Sequence, residues 1–283
     1  MEPIQFSVAM SVYGKDDPRW VGRAVDSILT QTLPPDEIVL VVDGPIPEGL
    51  DTLVCGYERD PRFSVIRLPE NCGHGVARRT ATERASHELI ALMDSDDVAC
   101  PDRFAQQIAH FRAHPDTDVL GGDIDEFIED ESIPVSRRAV PTTDEAIKAD
   151  MKKRCAMNQM TVMLRKSALE EAGGYLDWFC NEDYYLWVRM WKRGFRFANT
   201  GTVLVRVRVG EDMYRRRGGL AYFRSEKRLQ KLMRREGLIG LGAYCINVSK
   251  RLAVQVLMPN ALRAFVFRHF ARKRPVTDKT ERS

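Results

Sequence analysis

Five consecutive apolar residues, Leu89-Ile-Ala-Leu-Met93, run directly into Asp94-Ser-Asp96-Asp97. The apolar run has the length of a buried strand. Open α/β sheets bind their ligands just outside the carboxyl ends of such strands. Three carboxylates within four positions repel one another unless something cationic joins them. Two readings follow. In one, the aspartates supply hard oxygen ligands to Mn²⁺ or Mg²⁺, which in turn holds a phosphate. In the other, they form an Asp-rich turn that caps the next helix.

The flanking sequence supplies the sheet that such a strand requires. Phe6 to Tyr13, Glu37 to Val42 and Phe63 to Arg67 are apolar runs of strand length. Helical spacing separates them: Val21, Val25, Ile28 and Leu29 after Pro18, then a helix over 50–59 and another over about 76–86. Alternation of strand, loop and helix predicts a mostly parallel sheet covered on both faces. Gly73-His-Gly75 begins like a dinucleotide fingerprint, but Arg78 stands where its third glycine belongs, and the motif does not follow the first strand. That argues against a Rossmann dehydrogenase.

Downstream, Pro101 opens a helix carrying Phe104, Ile108 and Phe111. Strands are expected at 119–123, 127–128, 160–164 and 195–209, with a turn-rich loop over 129–140. Thr142 with Glu145, and Ser167 with Glu170, have the spacing of capping boxes. Asn181-Glu182-Asp183 precedes a helix on which Leu186 and Met190 lie one turn apart. Glu182 and Asp183 either cap that helix, where its dipole favours negative charge, or present one general base to the metal site.

Charge divides the chain. From Arg206 onward there are 20 Lys and Arg against 6 Asp and Glu, whereas the preceding part is net acidic. A basic helix over 221–236 and apolar segments punctuated by Lys and Arg over 238–270 suit an amphipathic tail, either lying on a bilayer or packed on the body. Such basic charge also suits nucleic acid, but no RNA- or DNA-binding motif accompanies it. The six cysteines form no CxxC pair, so neither a thiol zinc site nor a redox motif is signalled. The N-terminus lacks the pattern of a signal peptide, and no apolar run reaches the roughly 18 residues of a membrane span. The expected location is cytoplasmic, peripheral at the inner face of the membrane.

Taken together, these residues resemble the family 2 glycosyltransferases, of GT-A fold, and the branch that builds amylovoran, exopolysaccharide and O-antigen. The resemblance rests on Ser11-Val-Tyr13, Ser27 to Thr32, Val42-Asp43-Gly44, Asn71 with Gly73, Asp94-Ser-Asp96-Asp97 with Pro101-Asp-Arg103, and Glu182-Asp183 with Leu186-Trp187. It implies an α/β GT-A domain over 1–209, with a nucleotide-sugar half (1–120) and an acceptor half (121–209). A basic helical extension over 210–283 completes the chain. Ser11, Tyr13, Asp43, Arg78 and Asp94 would bind the nucleotide, Asp96 would ligate Mn²⁺ or Mg²⁺, and Asp183 would be the catalytic base. Glu182, Trp187, Arg215, Arg216 and Arg217 would face the acceptor or form a lid.

The implied reaction is inverting transfer from a nucleotide-sugar, with UDP favoured, to a lipid-linked saccharide. The tail would make peripheral membrane contact, and no nucleic acid is involved. Transfer to polyprenyl phosphate is the near alternative. A sugar nucleotidyltransferase is another, but Val12 to Asp16 is a poor phosphate loop. A catalytically inert binding module is disfavoured because Asp96 and Asp183 are both intact.

Overall fold

The structure, a computed structural model, describes residues 4–210 and 218–258. Strands β1 (Phe6–Tyr13), β2 (Glu37–Asp43), β3 (Phe63–Arg67) and β4 (Leu89–Leu92) are paired in parallel in the order β3-β2-β1-β4. The chain runs outward from β1 to β3, then crosses back to place β4 on the other side of β1. That reversal creates a switch point between β1 and β4, the place where open α/β sheets take ligands.

Beyond β4 the sheet is mixed. β5 (Val98–Ala99), β6 (Val119–Phe127), β7 (Ser136–Arg138), β8 (Met163–Arg165) and β9 (Phe197–Arg208) complete it. β8 is antiparallel to both β4 and β6, while β6 and β9 are parallel. The first half is therefore all parallel, and the second half, which keeps one parallel pair, makes the sheet as a whole mixed. The segments expected as two strands at 119–123 and 127–128 are one continuous strand, β6. The turn-rich loop contains β7, whose Arg137 pairs in register with Asp125 and bonds its carboxylate at 2.7 Å.

The helices are α1 (Pro18–Leu29), α2 (Glu48–Tyr57), α3 (His74–Arg84), α4 (Arg103–Ala113) and α5 (Asp144–Met151). They continue with α6 (Lys166–Glu171), α7 (Glu182–Lys192), α8 (Leu220–Arg235) and α9 (Leu241–Leu252). Side chains alternate across a strand, and this alternation sorts the core into two layers. Val8, Met10, Ile38, Leu40 and Ala91 pack under α1, α2 and α4. Ala9, Val39, Val41, Ile90 and Leu92 face α3, α5 and α7. Asp17 caps α1 through Arg19 N–H at 2.8 Å, with Pro18 in the first turn. The cap of α5 is Thr143, bonded to Ala146 N–H, and not Thr142. Ser167 caps nothing; its hydroxyl donates to Glu88 at 2.6 Å.

The C-terminal helices α8 and α9 rest on the α7 side of the body. Leu229, Met233 and Ile239 join that core layer. Asn247 Nδ2 donates to the Lys152 carbonyl at 2.7 Å, and Arg251 to the Lys153 carbonyl at 2.8 Å. Burial of a Leu or Met side chain is worth about 1.5–3 kcal/mol, so this contact is a stable part of the fold. None of the described helices is long and apolar enough to cross a membrane.

Candidate active site

β4 delivers Asp94 to the switch point. Burial opposes ionisation of the Asp94 carboxyl, but the charges of Arg78 and His74 hold it below the usual carboxylate range. Asp96 accepts from Arg208 Nη2 at 2.8 Å, and Asp97 accepts from the Arg208 backbone N–H at 3.0 Å. Asp97 is buried, and this together with the charges of Asp96 and Asp94 pushes its carboxyl up. Beneath the loop lies Arg103, fully buried, donating to the Leu92 carbonyl at 2.8 Å. Asp97 thus serves the loop, while Asp94 lines the cleft and Asp96 is partly exposed.

A fourth carboxylate joins them. Asp16 accepts from Ser95 Oγ at 2.9 Å and from Tyr13 N–H at 3.1 Å. Burial, with the negative charges of Asp96 and Asp94 adding, raises its pKa to about 6. The loop therefore carries excess negative charge on hard oxygen donors. That donor chemistry fits a divalent cation whose remaining ligands come from elsewhere, since no three acidic, His or Cys side chains already converge among the described residues.

The β2 end is built differently. Asp43 accepts the Cys72 and Gly73 backbone N–H groups at 2.7 and 3.0 Å. It thereby folds the 71–73 loop over the strand end. Gly44 allows this approach, because a Cβ there would lie 2.5 Å from Asn71 N. Tyr13 is exposed at the end of β1, and Ser11 is half-buried beside Val41.

On the opposite side, α7 begins with Glu182 and Asp183. Arg78, projecting from α3, spans the gap. It donates to Asp94 Oδ1 through Nη2 and to Glu182 Oε1 through Nη1, both at 2.7 Å. Burial and the neighbouring Asp183 push the Glu182 carboxyl up even though Arg78 opposes this. Arg78, Asp94, Glu182 and Asp183 line one cleft of about 680 Å³.

The structure therefore brings Arg78, Asp94, Glu182 and Asp183 together. Asp96 lies two residues beyond Asp94, and Ser11, Tyr13 and Asp43 follow along the carboxyl edge of the sheet. Trp187 does not join them. It is 0% exposed and packs edge-on to Phe197 in the core, so it cannot contact an acceptor directly. Arg215, Arg216 and Arg217 lie outside the described residues. Sequence reasoning missed Asp16, Arg208, Gln159 and the tail residues Tyr222, Glu226 and Arg251. The last four line the cleft. Only Asp16, in the loop after β1, had a positional signal.

A parallel half-sheet with its switch point at an Asp-rich loop, extended by a mixed half-sheet that carries an acidic helix start, defines a glycosyltransferase of GT-A architecture. Solved structures share the fold. S. aureus TarS 1–349 in complex with UDP-GlcNAc aligns with a TM-score of 0.61 over 95% of this chain and 73% of that one, at 17% identity. The chain spans 44% of a longer TarS structure. A mannosyltransferase from Pyrobaculum calidifontis in complex with GDP-Man and Mn²⁺ gives 0.63, over 93% and 74%, at 16% identity.

Residues 7–173 match glycosyl transferase family 2, and the chain belongs to that family. An uncharacterized glycosyltransferase of Haemophilus influenzae is 37% identical over 95% of this chain and 100% of its own length. The amylovoran biosynthesis glycosyltransferase AmsE of Erwinia amylovora is 35% identical, over 80% and 85%. The UDP-Gal:alpha-D-GlcNAc-diphosphoundecaprenol beta-1,3-galactosyltransferase of Escherichia coli is 28% identical, over 95% and 97%.

Proposed function

We propose that this glycosyltransferase moves a sugar, with inversion, from a UDP-linked donor to a lipid-linked saccharide during synthesis of a bacterial cell-surface polysaccharide. The observation that carries this reading is the Arg78 bridge, which ties the carboxylate at the end of β4 to the acidic start of α7 across one cleft. The donor class is supported by the UDP-GlcNAc bound by TarS. The acceptor class is supported by the activity for which the E. coli relative is named.

In this reading the donor's base and ribose lie along Ser11, Tyr13 and Asp43, and Asp94 and Arg78 meet the ribose and diphosphate. Asp96 holds Mn²⁺ or Mg²⁺. An ion held there would supply Lewis-acid neutralisation of negative charge on the diphosphate leaving group. Asp183 takes the proton from the acceptor hydroxyl, a role worth about 10²–10⁴-fold. A single base facing the sugar requires no second nucleophilic carboxylate, unlike a retaining glycosidase, and this favours inversion. Residues 1–209 form the catalytic unit and 210–283 the extension. Leu241, Ile246 and Leu252 on α9 are exposed and, with Lys250, offer a face for peripheral contact with the inner leaflet.

The test is a panel of nucleotide-sugars incubated with Mn²⁺ and then with chelator, scored for release of the nucleoside diphosphate with and without a diphosphate-lipid saccharide. Turnover of a UDP-sugar that rises with the saccharide and stops with chelator is expected. Failure of every nucleotide-sugar to bind or turn over rejects the reading.

A further inference from the structure

Among the described residues, one that is not glycine adopts positive φ: Cys180, at 57°. It is the third residue of the tight turn Trp178–Asn181, closed by Asn181 N–H to the Trp178 carbonyl at 3.4 Å. Turns with positive φ at that position select glycine or asparagine, because a Cβ crowds the backbone there. A strained residue of this kind persists only where its surroundings over-determine it.

Those surroundings come from α8. Asn181 stands at the N-cap of α7, where an asparagine side chain ordinarily bonds to its own helix. It makes no such cap. Its Nδ2 instead donates to Ser225 Oγ at 3.2 Å, and Ser225 Oγ donates to the Phe179 carbonyl at 2.6 Å. One hydroxyl on the C-terminal helix thus grips the residue before Cys180 and the residue after it. Ser225 and Asn181 are 7% and 5% exposed, so water does not compete for these bonds. Arg228, also on α8, lies 4.2 Å over the Trp178 ring, and Trp178 packs in turn, tilted by 34°, against Tyr185 of α7. The next two residues after the gripped turn are Glu182 and Asp183.

We propose that Ser225 is a positioning residue for sugar transfer. Through the strained turn, its hydroxyl sets the direction in which the first turn of α7 presents Asp183 to the acceptor. The inference rests on the reading of Asp183 as the base. The extension is then part of the catalytic apparatus although Ser225 itself is not a reacting group. Release of the clamp lets Cys180 relax toward negative φ and turns the start of α7. Displacement of a reacting group by about 1 Å costs on the order of 10²-fold in rate.

The experiment compares the wild-type full-length chain with Ser225→Ala, Cys180→Gly, the double variant and Asp183→Asn. The readout is release of UDP from UDP-galactose and UDP-N-acetylglucosamine to water in Mn²⁺, with melting temperature alongside. Ser225→Ala should keep KM for the donor, lose about 10–100-fold in kcat and shift the acidic limb of the pH–rate profile, where the base becomes protonated. Glycine adopts φ near 57° without strain, so adding Cys180→Gly to Ser225→Ala should restore most of the lost kcat. Cys180→Gly alone should stay near wild type.

If Ser225→Ala keeps its kcat within twofold while Asp183→Asn loses turnover, the proposal fails and the base assignment stands. If Asp183→Asn also keeps turnover, both fail. A loss in Ser225→Ala that follows melting temperature, raises KM and is not rescued by Cys180→Gly marks a merely structural serine and overturns the proposal.

Discussion

Arg78 and Glu182 are 104 positions apart in the chain, yet the Arg78 guanidinium donates to Glu182 at 2.7 Å while its other arm holds Asp94 at the same distance. All three side chains are largely buried. Removing one partner of a buried charge group leaves the others unpaired, at about 3–5 kcal/mol. Arg78→Met should therefore lower the urea midpoint by an amount equivalent to about 3 kcal/mol and reduce transfer at least 100-fold. Arg78→Lys should recover little activity, because an ammonium cannot reproduce the two-armed planar geometry. Stability equal to wild type in Arg78→Met would show that the bridge is not a structural tie.

Asp96 shares its carboxylate with Arg208 at 2.8 Å, and both side chains are partly exposed. A cation on Asp96 must compete with that guanidinium. Exposed pairs of this kind are worth at most about 1 kcal/mol, or roughly a fivefold change in a binding constant. Arg208→Gln should tighten Mn²⁺ binding, followed by electron paramagnetic resonance, by up to about fivefold, whereas Asp96→Ala should abolish it. Weaker Mn²⁺ binding in Arg208→Gln would place the ion elsewhere.

Asp16 has a folded-state pKa raised from 3.8 to about 6. Between those values the folded chain binds more protons than the unfolded chain, so this group's contribution to stability falls as pH rises through about 4 to 6. Asp16→Asn removes that contribution. The difference in melting temperature, variant minus wild type, should increase from pH 4 to pH 6 and level off above. A difference that is flat across the window would mean that Asp16 is solvated and unshifted.

The C-terminal helices are stitched to the body, and removing them exposes core. Met233 is fully buried, and Met→Ala at such a site costs about 2–5 kcal/mol. Met233→Ala should therefore lower the melting temperature clearly. The exposed residues of α9 should behave in the opposite way. Replacing Leu241, Ile246 and Leu252 together by serine should leave the melting temperature nearly unchanged and reduce sedimentation with anionic vesicles. Equal sedimentation of the triple variant would remove α9 from the membrane contact.

Much of the first half of the sheet was legible from sequence, because its signals are local. Apolar runs over 6–13, 37–42 and 89–93 report strands buried on both faces, the run over 63–67 reports the partly buried end strand β3, and all four are found within a residue or so of those bounds. The later half of the sheet was less legible. β7 was hidden because Ser136-Arg137-Arg138 is polar and becomes a strand only by pairing with β6 and placing Arg137 against Asp125. Trp187 followed a motif into the site in sequence, but helical geometry turned it toward Phe197 and the core.

By itself, the sequence determined which residues have the right chemistry: the carboxylates after β4, the acidic pair before a helix, and a basic extension. Those are properties of residue type and short spacing. Tertiary structure alone decided which of them meet. Arg78 finds Asp94 and Glu182 because α3 packs between the end of β4 and the start of α7, and Ser225 reaches the Phe179–Asn181 turn because α8 folds back onto the α7 side. Contacts across 104, 46 and 44 positions depend on how helices pack over a sheet, and no local pattern of residues encodes that packing.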